Sequence, residues 1–261
     1  MKITLDPRKS LLQNIALYRE AAKKYRQKAV GAEKAILETV ASVEKQAQYS
    51  EQAHATAKKH NDWFNKFLHF KTASGSLVVA GRNAKQNDVV FAKHALPEEF
   101  FFHADIRGSP AVIVKNPNAT QEELQEAAQF TASFSSAWKR EFGSVDVYAL
   151  RVSQVSKHSH GGYIEQGAFV LAGERQWFKN TLVGLYLCLD ENTLEFSLRP
   201  LVRGKTALCV KLMPGKSEKN ALAKSIKAYF AKKLFAKGTK TKFNEEDIAK
   251  LLPGNCEAVY E

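Results

Sequence analysis

Cysteine is scarce in this chain: Cys188, Cys209 and Cys256 are the only three in 261 residues, far apart and without a CxxC spacing. Neither a disulfide framework nor a cysteine zinc site is expected from them, and a reducing cytoplasm is the compartment such usage predicts. Long hydrophobic runs are missing too. None approaches the ~18 apolar residues of a membrane span, and the opening Met1 to Pro7 has no apolar signal core. The expectation is a cytoplasmic chain with no membrane partner. Acidic residues are the third shortage. Lys and Arg number 39 against 27 Asp and Glu, a formal net charge of +12 and a pI near 9.5, which points to a polyanionic partner.

Catalytic and metal signatures are equally thin. Gly215-Lys216-Ser217, between a predicted strand and helix, imitates a phosphate loop, but the glycine required five positions earlier is Val210. What remains there is a helix N-terminus beside a lysine, a lesser phosphate contact. His103 with Asp105, or His158 with His160, could begin a metal site, yet no third and fourth ligands follow at a workable spacing. No metal, cofactor, Ser-His-Asp arrangement or paired-carboxylate site is expected.

Helical periodicity dominates the first quarter of the sequence. Asp6 as cap and Pro7 at the first helical position predict a helix start. Leu11, Ile15, Tyr18, Ala22, Tyr25, Ala29, Ala32, Ile36 and Val43 then recur at alternating spacings of four and three, a heptad seam flanked by basic residues. A second helix is predicted from 50 to 68, ending in the apolar face of Trp63, Phe64, Phe67 and Leu68. An antiparallel pair is the simplest packing, with Gly31 either inside the first helix or at the turn.

Shorter elements follow. Leu77 to Ala80 reads as a strand, Arg82, Lys85 and Asn87 as one loop, and Val89 to Phe91 as a further strand. Phe100 to Phe102 and Ala111 to Val114 are strand-like runs around a polar knot of His103, Asp105, Arg107 and Ser109. An extended backbone would project all four from one face, with Gly108 and Pro110 ending the ladder and presenting Arg107 at a strand end. A plainer reading makes them hairpin residues that satisfy local backbone groups. Thr120 to Phe142 reads as one capped amphipathic helix and Val145 to Val155 as a strand, with Trp138 and Tyr148 as packing residues rather than base-stacking platforms. From 206 to 260 the pattern is strand, helix, helix, strand.

Several of these blocks together resemble a known family. Trp63-Phe64-Asn65-Lys66-Phe67, Gly81 to Asn87, His103 to Pro110, Val114 to Pro117, and Gln154 to Lys157 with Gly167-Ala168-Phe169 and Gly173-Glu174-Arg175 follow the order of NFACT-R, the RNA-binding module of the NFACT family. Leu5-Asp6-Pro7 with Ser10 and Asn14 is similar to the start of that family's central coiled coil. Departures fall at His158-Ser159-His160 and at Gln176-Trp177.

The resemblance implies an α+β protein: a coiled-coil arm over 1–68, an NFACT-R body over 69–200, and a small α+β appendage over 201–261. It also implies a non-catalytic, RNA-binding role with tRNA, ribosomal RNA and the large ribosomal subunit as partners, in rescue of stalled ribosomes. A separate protein would supply the family's N-terminal NFACT domain, or the chain is a fragment. The candidate RNA contacts are Arg82, Lys85, Asn87, His103, Asp105, Arg107, Lys115, Lys157 and Arg175, with Asp105 expected to hold Arg107 or Arg82. The rivals are an enzyme acting on nucleic acid or a nucleotide through His103, Asp105 and Arg107, and a coiled-coil protein adaptor.

Overall fold

A computed structural model describes residues 4–29, 31, 62–157, 164–191, 193–205, 208–235 and 243–260. They belong to two units, Met1–Asn61 and Asp62–Glu261. In the first, helix α1 runs over residues 11–29. It starts later than Asp6-Pro7 predicts, because Ser10 is the working cap: its hydroxyl accepts from the Gln13 amide at 3.2 Å while the Gln13 side chain accepts from the Ser10 amide at 2.8 Å. Asp6 and Pro7 lie in a preceding turn, held by Asn14, whose side chain bonds both the amide and the carbonyl of Asp6. Gly31 has helical backbone. Most of the expected second helix lies outside the described residues. Its end does not stay α-helical: Trp63–Lys66 is a single 3-10 turn, and Leu68 already belongs to a strand.

The second unit opens with the hairpin β1 (Leu68–Lys71) and β2 (Leu77–Ala80). Where a loop and a strand were expected, helix α2 (Ala84–His94) follows, because Asn83 caps it by accepting from the Gln86 amide at 2.9 Å. Val89, Val90 and Phe91 therefore sit on a helix. Strands β3 (Phe100–Ala104) and β4 (Val112–Val114) come next, and α3 (Gln121–Ser133) begins at Thr120 and Glu123 in a capping box. The predicted single helix to Phe142 is two. Ser135 accepts from the Ala137 amide and starts a new short helix, α4 (Ser136–Lys139).

Strand β5 covers Ser144–Arg151 and then gives way to a 3-10 turn and the short β6 (Val155–Ser156). After β7 (Val170–Leu171) come β8 (Gln176–Leu182), β9 (Leu185–Leu189), β10 (Phe196–Pro200) and β11 (Cys209–Pro214). Helices α5 (Lys219–Phe235) and α6 (Glu245–Leu251) and strand β12 (Cys256–Tyr260) follow β11 in the predicted order.

The main sheet has the order β1-β2-β4-β3-β5-β8, and its paired strands are antiparallel. Side chains alternate between its faces as the two-residue period requires. Phe102, Val112, Val147 and Ala149 join the core beneath α3, while Phe101, Ile113, Tyr148 and Leu150 pack with Val90 of α2. A second sheet, β10-β9-β11-β12, shares the α3 core, so the expected boundary at residue 201 falls inside one continuous apolar body. Contrary to the sequence expectation, Cys188 and Cys209 are joined as a disulfide. They are direct partners on the antiparallel strands β9 and β11, a pairing made by the sheet across a separation of 21 residues. No described helix is long and apolar enough to cross a membrane.

Candidate nucleic-acid interface

A cavity of about 770 Å³ opens beside the polar knot. Its wall is assembled from the β2–α2 turn, the end of β3, the α3–α4 junction, the 165–171 segment and the last two helices. Five cations line it, Arg82, Arg107, Lys139, Lys219 and Lys250, against one carboxylate, Glu165. Arg107, Lys139 and Lys219 have no salt bridge among the described residues. Lys219 donates to the Leu252 carbonyl at 2.6 Å. Burial pulls its ammonium below the ordinary lysine value, and the charges of Arg82 and Lys139 deepen the fall against the opposing influence of Cys256. Like charges converging on one concavity with so little compensation favour an anionic occupant.

The turn that offers Arg107 is built by two glycine-dependent contacts. Gly108 has φ +88°, a conformation that disfavours side chains, and a Cβ there would come within 3.1 Å of Ser136. Its carbonyl accepts from the Ser136 amide at 2.9 Å, and the Ser136 hydroxyl donates to the Arg107 carbonyl at 2.6 Å. The backbone does not stay extended through the knot as the alternation suggested: β3 ends at Ala104 and a bend and turn follow. Ser109 is consequently buried and accepts from the Ala104 amide at 2.8 Å. Asp105 is exposed and, among the described residues, forms no ion pair with Arg107 or Arg82, so the expected carboxylate tether is absent. Arg82 instead reaches the Phe67 carbonyl at 3.4 Å.

The other candidates divide by what already holds them. His103 remains on β3, with Nδ1 3.2 Å from the Tyr148 hydroxyl, and burial lowers its pKa so that the neutral ring prevails near pH 7. Burial also raises the Tyr148 phenol. Asn87 is buried and its Oδ1 accepts from the Ala111 amide at 3.1 Å, tying α2 to the residue that precedes β4. Gly81 must lack a side chain there, since a Cβ would lie 2.2 Å from that oxygen. Lys115 is enclosed by Glu99 and the His94 carbonyl. Lys157 bonds Asp88 and the Ala168 carbonyl, both at 2.7 Å, which fixes the 165–171 wall. Lys85 lies on the exposed first turn of α2. The structure thus brings Arg82, Asn87, His103 and Arg107 to one cavity and leaves Lys85, Asp105, Lys115, Lys157 and Arg175 out of its lining.

Sequence reasoning missed Lys139, Lys219 and Lys250 because each comes from a distant helix. It also missed an aromatic row. His103 pairs with Tyr148, and Tyr148 with Trp177, across β3, β5 and β8. Ring centroids are 5.7 and 5.4 Å apart. Arg175 lies over Tyr148 at 4.7 Å and Lys179 over Trp177 at 4.0 Å. Alternating Arg175, Trp177 and Lys179 was the available signal.

Residues 66–173 match a family model described as the NFACT protein RNA binding domain, NFACT-R. The resemblance to NFACT-R is borne out over that span. The NFACT-R span contains the knot, the cavity's Arg82 and Arg107, and β1 to β7. Beyond it, the chain is 33% identical over 210 residues to an archaeal Rqc2 homolog, aRqcH, of Methanocaldococcus jannaschii, covering 77% of this chain and 30% of that protein. It is 29% identical over 177 residues to the human ribosome quality control complex subunit NEMF, covering 66% and 16%. The chain therefore spans less than a third of the length of either relative. A solved structure of the C-terminal part of a fibronectin/fibrinogen-binding protein from Streptococcus suis overlaps 53% of each chain at 24% identity, with a TM-score of 0.39.

Proposed function

We propose that this chain is a non-catalytic RNA-binding protein of ribosome-associated quality control, with tRNA and ribosomal RNA of the large subunit as its ligands. The observation that carries the reading is the cationic cavity, whose Arg82, Arg107, Asn87 and His103 fall inside the NFACT-R match. Arginine forks suit phosphate, and loops at the end of a rigid sheet are where binding groups are mounted. The names of the relatives, a ribosome quality control complex subunit and an Rqc2 homolog, support the ribosomal setting. The cytoplasm is the compartment that follows.

The arm belongs to the same proposal. On α1 the seam residues Leu11, Ile15, Tyr18 and Tyr25 are exposed, an apolar stripe suited to a coiled-coil partner helix. The test of the whole reading is tRNA binding measured against salt. Log affinity should fall linearly with log salt at roughly −0.7 to −0.9 per phosphate contact, and a flat response would leave a protein adaptor instead. For the arm, Ile15→Asp should reduce co-sedimentation with large subunits while tRNA binding persists.

A further inference from the structure

The cationic cavity and the aromatic row are adjacent parts of one surface. His103 and Tyr148 line the cavity, and the row then continues to Trp177 on β8, an edge strand of the sheet among the described residues. Trp177 is 38% exposed although Tyr148 beside it in the row is buried. Phosphates alone would need only the cations; a row of rings in cross-strand register, ending in an exposed indole, adds an apolar plane that a fully paired helix cannot use, because its bases are stacked inward.

We propose that this surface takes an unpaired RNA strand, with a base stacked on Trp177 and the backbone led past Arg175 toward Arg82 and Arg107 in the cavity. The inference rests on the RNA-binding reading above and specifies which RNA it selects: a single-stranded end, loop or bulge rather than a duplex. Three observations converge on it. The cavity, at about 770 Å³, admits a nucleotide but not a double helix. Arg175 lies against Tyr148 at 4.7 Å and is 5.8 Å from the Trp177 ring, which places a guanidinium between the stacking plane and the cavity. Lys179, over the indole at 4.0 Å and bonded to Asp146 at 2.8 Å, sets a second charge at the sheet edge. Arg175 can meet a phosphate beside a stacked base, while Lys179 is held by Asp146.

The test uses the full chain and three fluorescent probes with the same number of phosphates: a single-stranded RNA of mixed sequence, a blunt RNA duplex, and a strand in which consecutive bases are replaced by abasic sites. At one fixed salt concentration the single strand should bind most tightly. The abasic strand should be weaker by roughly fivefold to a hundredfold, the usual worth of a base–aromatic stack. Trp177→Ala should show a loss of similar size for the intact strand and little change for the abasic one, and Trp177→Phe should recover part of the loss. Equal binding of duplex and single strand, or of intact and abasic strands, overturns the inference while leaving RNA binding itself standing. If none of the three probes binds, the RNA-binding reading fails. The abasic comparison needs no substitution, so it decides the matter even if Trp177→Ala does not fold.

Discussion

The hydroxyl of Ser136 donates to the main-chain carbonyl of Arg107 at 2.6 Å, so the start of α4 holds the turn from which the Arg107 side chain enters the cavity. The backbone of Arg107 is thereby fixed, while its guanidinium has no salt bridge among the described residues. Arg107→Ala should weaken tRNA binding by about 1 to 3 kcal/mol, the worth of a charge-assisted contact, and should leave the melting temperature nearly unchanged. Gly108→Ala should do the reverse in order of cause. It loses stability first, by about 1 to 2 kcal/mol, because a Cβ at positive φ is strained and meets Ser136. Paired melting and affinity measurements on the two variants separate the roles; an Arg107→Ala protein that binds normally but melts early would make the knot a purely structural turn.

Asp105 changes its expected behaviour once the structure is known. It is exposed and unpaired with Arg107, and its charge opposes the burial that lowers the His103 pKa and adds to the burial that raises that of Tyr148. A carboxylate near a phosphate path repels it, so Asp105→Asn should leave RNA affinity unchanged or tighter by a few tenths of a kcal/mol, the scale of an exposed charge. A clear loss of affinity in a titration would restore the orienting role that the sequence suggested.

Lys115 is a stability residue on geometric grounds. Its ammonium lies 2.5 and 2.6 Å from the two Glu99 oxygens and 2.6 Å from the His94 carbonyl, and Glu99 is buried. Lys115→Ala would leave that buried carboxylate without its counter-charge, held only by the Leu96 amide among the described residues, and should cost about 3 to 5 kcal/mol in chemical denaturation. RNA affinity of the folded fraction should stay as it was. Lost affinity with unchanged stability would return Lys115 to the binding surface.

Glu123 predicts an acid limb. Burial pushes its carboxyl up, but hydrogen bonds from Ser74, Ser76, Thr120 and Thr72 together outweigh burial and hold it at about 2. A folded pKa below the unfolded value means the stabilisation is complete above about 4.5 and is lost as pH falls toward about 2. Glu123→Gln should lower stability at pH 7 by about 1 to 3 kcal/mol, since the network tying the β1–β2 hairpin to α3 loses its acceptor charge. It should also flatten the decline in melting temperature between those pH values. A decline of undiminished slope in the variant would place the acid sensitivity elsewhere.

Local rules carried the sequence reading wherever an element is decided by its own residues. The Leu77–Ala80 strand, the Thr120 and Glu123 capping box, the burial of Trp138 and Tyr148, and the C-terminal strand-helix-helix-strand order were all legible, because alternation, capping side chains and apolar periodicity act over a few positions. Order of motifs along the chain was enough to show the resemblance to NFACT-R, whose family model matches residues 66–173. Local rules misled where two short-range signals compete. Val89-Val90-Phe91 has strand composition, yet the Asn83 cap and the apolar contact of Val90 beneath the sheet made it a helix. What only the tertiary structure decided is proximity across long separations: the disulfide between two strands, the enclosure of Lys115 by Glu99, the convergence of Lys139, Lys219 and Lys250 on Arg82 and Arg107, and the alignment of His103, Tyr148 and Trp177 on one face. Sequence spacing reports which face of its own element a residue occupies; sheet register and helix packing, set by burial of the whole core, decide which distant residue it meets.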